Sequence, residues 1–245
     1  MAKKPHRLSQ ATTIARVDKM IELIQKDVII GIAVEAALVT ANETISGELR
    51  TVTFSGADCY NSVKQSMALF LALTLAKLFE IPTRRKSESP ITRYNRSDVA
   101  SIPLMVRLLK QKRCRKVLSR RARGWTPTLY GMENENAAAC EREIDRAVAA
   151  YAQLRITHAG RNAIAKLKSF RDKVLAHTLL GQALEKTPSY NELFLLMDVA
   201  RNVTGHAKLA ILGDNLDLKD FEEEVVRMSK AFWRPALTAA AAVSS

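Results

Sequence analysis

Residues 67–79 read MALFLALTLAKLF and are apolar on nearly every side of a helix. A helix on a protein surface keeps one polar face, so a helix apolar all round belongs in the middle of a bundle. This run is the second half of a helix expected from about Ala57 to Glu80, where Pro82 stops it. Around it the chain is poor in turn formers, with 9 Gly and 7 Pro in 245 residues, and 47% of its residues are hydrophobic. That composition favours packed helices over sheets and predicts an all-α fold.

Working outward, Ser9 is placed to cap a helix running to about Thr40. Its apolar positions Ile14, Val17, Ile21, Ile24, Val28 and Ile32 recur at three- and four-residue spacing. Asn42, Ser46 and Gly47 are expected to end it, and Thr51 to Phe54 could be a short extended piece. Ser97 and Asp98 open a third helix to about Arg121, with Pro103 in its first turns and Gly124 and Pro127 after it. A fourth helix runs from Asn134 or Glu135 to Leu154, and Thr157 to Gly160 kinks or breaks the pattern. Helix resumes from Arg161 to about Leu180. Ser189 opens the next, to Leu212, and Gly213-Asp214-Asn215 is a turn. Asp217 starts a last helix ending near Pro235. The expected organisation is one domain over residues 1–245, with a basic limb at 82–131 and a disordered low-complexity tail at 236–245.

The net charge is +13, and it is localised. Between Arg84 and Arg123 there are fourteen Lys/Arg against Glu88 and Asp98. A concentrated basic surface points to a polyanion such as nucleic acid. The candidates for holding it are Arg113, Arg115, Lys116, Arg120 and Arg121, with Lys168 and Lys173 further on. Trp125 and Tyr130 could stack on bases or pack at a helix end. The apolar stretches Val28–Val39 and Met67–Phe79 are too short to span a bilayer, and no signal peptide is visible. Cys59, Cys114 and Cys140 are odd in number and widely spaced, which suits a reducing, cytoplasmic compartment. Phosphate-binding glycine loops, paired-histidine metal sites and nucleophile elbows are absent from the sequence, so no metal or cofactor is expected.

Of the four histidines, His6, His158, His177 and His206, two stand in a motif. In FRDKVLAH, residues 170–177, Arg171 is followed by the polar Asp172 and, after five intervening residues, by His177. In RNVTGH, residues 201–206, Arg201 is followed by Asn202 and, after four, by His206. Both resemble the signature of the HEPN superfamily. The first is preferred for its Leu-Ala-His context and for Lys166, Lys168 and Lys173 nearby; Gly205 weakens the helix of the second. With ALTLAKLFE (72–80) and SIPLMVRLL (101–109), the chain looks most like the U-type abortive-infection (Abi) branch, over about Gln10 to Pro235.

The resemblance implies an HEPN-like antiparallel bundle of about six helices, a homodimer, and metal-independent ribonuclease activity of a toxin or antiphage effector. His177 would move a proton, Arg171 would stabilise the phosphorane and Asp172 would orient one of them. Six residues of helix advance about 9 Å and turn about 240°, so Arg171 and His177 of one straight helix face one phosphate poorly. A site shared across a dimer interface, or a kink, resolves this. Some members carry a tyrosine two residues after the histidine; Leu179 stands there, a departure from the pattern that puts that mode of regulation in doubt. Two further readings stay open: a non-catalytic RNA- or nucleotide-binding module, and a basic subunit that meets an antitoxin or another defence-system partner.

Overall fold

The computed structural model describes residues 9–48, 56–81, 99–126, 131–176, 187–216 and 218–242. These form eight helices and no strand. They are α1 (Gln10–Glu48), α2 (Ala57–Leu78), α3 (Ile102–Leu109), α4 (Lys112–Ala122), α5 (Glu133–Ile156), α6 (His158–Ala176), α7 (Tyr190–Leu212) and α8 (Leu218–Ala242). The chain is an all-α bundle with one main core.

The stripe read from α1 is buried: Val17, Ile21, Ile24, Val28 and Ile32 are fully inaccessible. Each such side chain contributes about 1.5–3 kcal/mol by leaving water. The helix runs eight residues past the expected end. Its weak breakers are outweighed by packing: Thr40, Ala41 and Thr44 are buried, Ala41 clusters with Trp233 and Leu237 of α8, and the Thr44 hydroxyl donates to the Thr40 carbonyl at 2.9 Å. Within α1 an 18-residue stretch has a mean hydropathy of 1.6, enough by length and composition to cross a bilayer, but half of it is buried inside the bundle. The two stretches read from sequence are shorter than this.

α2 is only partly central. Leu71, Leu75, Leu78 and Phe79 are buried, while Val63, Leu69 and Phe70 face outward. The helix that touches most others is α7, which lies against α1, α2, α5 and α6. Ser189 and Glu192 close a capping box at its start, and Gly213 in a left-handed conformation (φ 71°) ends it.

Three boundaries differ from the sequence reading. The third expected helix is two, α3 and α4, broken at Lys110 and Gln111, and it begins at Ile102 with Ser101 as its N-cap; Ser97 and Asp98 lie outside the described residues. The described part of the basic segment 82–131 packs into the bundle. Ile102, Leu104, Met105, Val106, Leu108 and Leu109 of α3 and Cys114 and Leu118 of α4 are in the main core. The last helix continues through Pro235 to Ala242, where a disordered tail was expected. Burial of Trp233 and Leu237 on either side of the proline offsets the lost backbone bond. At Thr157 the expected break is a single residue. Its hydroxyl accepts from the Gly160 amide at 3.2 Å, capping α6 as α5 ends.

Candidate functional site

Two clefts carry the residues that sequence singled out. The first lies between α5, α7 and the start of α8, with a volume of about 460 Å³, and is lined by Glu143, Arg146, Arg201, Asn202, His206 and Glu222 among others. Residues 201–206 are helical, so Arg201 and His206 are five helical steps apart, with a net turn of about 140°. Both still reach the wall of one cleft.

His206 is held by a carboxylate from the neighbouring helix. Its Nδ1 lies 2.6 Å from Oε2 of Glu143. A carboxylate only accepts, so Nδ1 carries the proton and Nε2 is the nitrogen left for proton exchange. The Glu143 side chain is 9% exposed and that of His206 is 35% exposed, so the carboxylate is sheltered while the imidazole reaches solvent. Arg146 donates from Nη1 to the other oxygen of Glu143 at 2.6 Å.

Arg201 sits deeper, at 15% exposure, within three carboxylates. Its guanidinium pairs with Glu35 of α1, with Asp198 at 2.5 Å and with Glu222 of α8 at 3.5 Å. Its Nε is buried without a partner among the described residues. Burial pushes the Glu35 carboxyl up to about 7; Arg201 pulls it down, and the like charges of Asp198 and Glu222 push it up again. Asp198 and Glu222 are both more exposed than Glu35, so two of the three acids around Arg201 stand at the solvent side of the cleft.

The second cleft, of about 140 Å³, lies between α2 and α6 and is lined by Glu80, Lys168 and Arg171 over an apolar floor that includes Phe79 and Leu167. Arg171 donates from Nε and Nη2 to Asp172 at 3.0 and 2.7 Å and lies 3.6 Å from Glu80. Thus the structure brings Arg171, Asp172 and Lys168 together. His177, Leu179 and the side chain of Lys173 lie outside the described residues.

The cations of α4 divide into two groups. Arg115 bridges to Glu141 at 3.4 Å and Asp145 at 2.7 Å, both on α5. Arg121 pairs with Asp18 through both terminal nitrogens, at 2.8 and 3.1 Å, and donates to the Ile211 carbonyl at the end of α7. Arg113 donates to Gln111 at 2.8 Å. Lys116 and Arg120, by contrast, are exposed and line an open groove with Lys112 and Arg123. Trp125 packs on the core beside Gly213 rather than standing free; Tyr130 is outside the described residues. His158 is exposed in the first turn of α6. Among the described residues no cluster of His, Cys, Asp and Glu is arranged to hold a metal.

Sequence reading missed Glu143 and Glu35 as parts of a site. A signal existed for each. Glu143 interrupts the apolar stripe Cys140, Ile144, Ala147, Tyr151, Leu154, and Glu35 follows Val28 and Ile32 on the buried face of α1. An acid on an apolar stripe needs a partner, and here the partners are His206 and Arg201.

An all-helical bundle bearing an arginine, a polar neighbour and a histidine a few residues on defines an HEPN-type domain. The sequence model of the HEPN_AbiU2 family, described as AbiU2, matches residues 46–232. The chain belongs to that family, an abortive-infection-related HEPN module. No curated protein and no solved structure matches it.

Proposed function

We propose that this chain is the RNA-cleaving effector of an abortive-infection system, a metal-independent endoribonuclease that works by acid-base catalysis. The observation that carries the reading is the Glu143-held His206 opening onto the same cleft as Arg201. Nε2 of His206 takes the proton of a ribose 2′-hydroxyl or returns one to the leaving 5′-oxygen. Glu143 keeps the ring in one tautomer and stabilises the imidazolium. Arg201, freed from Asp198 and Glu222, stabilises the charge of the phosphorane. The products are a 2′,3′-cyclic phosphate and a 5′-hydroxyl. Arg171, Asp172 and His177 form the other candidate for this role, supported by Arg171 and Lys168 lining one cavity and by the bond from Arg171 to Asp172.

A homodimer is part of the same proposal. The outward apolar side chains Val63, Leu69 and Phe70 of α2, with Met228 and Phe232 of α8, supply surface for a second copy to cover. A cytoplasmic site of action and a neutralising antitoxin or other defence partner complete it.

One observation favours a second reading, an RNA-binding module without catalysis. Arg201 is neutralised by three carboxylates in this state. The two readings part in one experiment: a mixed RNA pool incubated with the purified chain in excess EDTA, beside His206→Ala, Arg201→Ala, His177→Ala and Arg171→Ala. Cleavage lost in the 201/206 pair and kept in the 171/177 pair supports the proposed site. The reverse pattern transfers the chemistry to Arg171 and His177. RNA bound by every variant and cut by none, the parent included, supports the binding module.

A further inference from the structure

Between α4 and α5 runs an open groove of about 600 Å³. Lys112, Lys116 and Arg120 line it from successive turns of α4, and Arg123 continues the same wall. Steps of four residues advance about 6 Å, so the cations form a row rather than a cluster. None of the four makes an ion pair with a described residue, unlike Arg115, which is engaged by Glu141 and Asp145 and joins the two helices. The groove has no apolar side chain in its described lining. A folded protein partner needs an apolar centre to its interface, whereas a phosphate backbone needs only spaced positive charge.

The direction of the row follows from α5. At 100° per residue, the order around this helix is Glu141 and Asp145, then Arg142 and Arg146, then Glu143. The first pair faces α4 through Arg115, and Glu143 faces α7 through His206. Arg142 and Arg146, both exposed and one turn apart, therefore stand on the outer surface between the groove and the His206 cleft. Arg146 lines that cleft itself.

We propose that single-stranded RNA lies along Lys112, Lys116, Arg120 and Arg123, crosses α5 over Arg142 and Arg146, and so delivers a phosphodiester to His206. The path rests on the reading of His206 as the site of cleavage, but it is a claim about binding. It assigns substrate contact to Lys112, Arg123 and Arg142 and structural work to Arg115 and Arg121. Recognition along it is through phosphates, independent of sequence and strongly dependent on salt.

The test uses the full chain carrying His206→Ala, so that RNA is not consumed, and fluorescein-labelled mixed-sequence RNAs of four and twenty nucleotides. Anisotropy is followed from low to high KCl. Lys116→Glu with Arg120→Glu is expected to weaken binding of the long RNA at least tenfold and to flatten its salt dependence, by about 0.7 in log–log slope for each phosphate released from the groove. Arg142→Glu should do the same to a smaller degree. The short RNA should bind these variants and the background alike. Unchanged melting temperatures certify that the variants fold. Long RNA bound equally by all variants overturns the path, as does an absence of RNA binding at low salt, which would leave the groove to an acidic protein. In the catalytically intact chain the two ideas separate: cleavage indifferent to the groove reversals sinks the path alone, and groove-dependent binding without any cleavage sinks the catalytic reading alone.

Discussion

Oε2 of Glu143 on α5 and Nδ1 of His206 on α7 are 2.6 Å apart, although sixty-three residues separate them in the chain. If the imidazole moves the proton, the carboxylate matters through it. Glu143→Gln is expected to lower RNA cleavage by about 10²-fold or more, because an amide can present the wrong tautomer or no longer stabilise the imidazolium. Single-turnover rates across pH, with RNA affinity measured alongside, give the check. A rate unchanged in Glu143→Gln would remove this pair from the mechanism.

Glu35 gives stability a pH dependence of a known sign. Its carboxyl is raised from 4.5 to about 7 in the folded chain, chiefly by burial. The folded state therefore holds a proton that the unfolded state has released over that window. The contribution is full below about pH 4.5 and is lost as pH rises through about 7. Thermal unfolding of the parent should lose more stability between pH 5 and pH 8 than that of Glu35→Gln. Parallel curves for the two proteins would contradict the assignment.

Gly160 and Gly31 should behave differently when replaced by alanine. A Cβ on Gly160 would lie 2.0 Å from the Leu154 carbonyl oxygen, across the one-residue break between α5 and α6. Backbone cannot yield there, and Gly160→Ala should cost about 1–3 kcal/mol. A Cβ on Gly31 meets the Met197 sulfur at 2.7 Å, the flexible end of a side chain, so Gly31→Ala should cost less. Urea unfolding of the pair tests the ordering.

The outward apolar residues of α2 and α8 bear on assembly. Phe232 is 64% exposed and packs edge-on against the buried Trp233 at 5.0 Å between ring centres, so it can be changed without opening the core. Phe232→Glu with Phe70→Glu is expected to convert a dimer to a monomer in light scattering, with the melting temperature of the dilute chain little altered. A parent that is monomeric at all concentrations would end the dimer proposal.

How much of this is legible in the sequence depends on whether the signal is local. α7 can be placed from Ser189 to Leu212 because a capping serine, a glutamate three residues on and a terminal glycine all act within a turn or two. Loss of that cap in Ser189→Ala should cost about 1 kcal/mol. The end of α1, the division of α3 from α4 and the passage of α8 through Pro235 are not legible, because contacts from distant segments decide them. Ala41 stays helical on account of Trp233 and Leu237, some 190 residues away. The site shows the same divide. Both arginine–histidine motifs can be found by scanning, but a choice between them by local context cannot register Glu143 or Glu35, which only the fold brings near.

The three cysteines offer a practical consequence of the packing. Cys114 and Cys140 are buried, and burial raises their thiols to about 11 and about 12, so neither forms appreciable thiolate near neutrality. Cys59, in the first turn of α2, is exposed. A maleimide dye added to the native chain should therefore attach at one position without any engineered residue. Energy transfer between identical dyes on two copies would then report self-association directly, from the unaltered sequence.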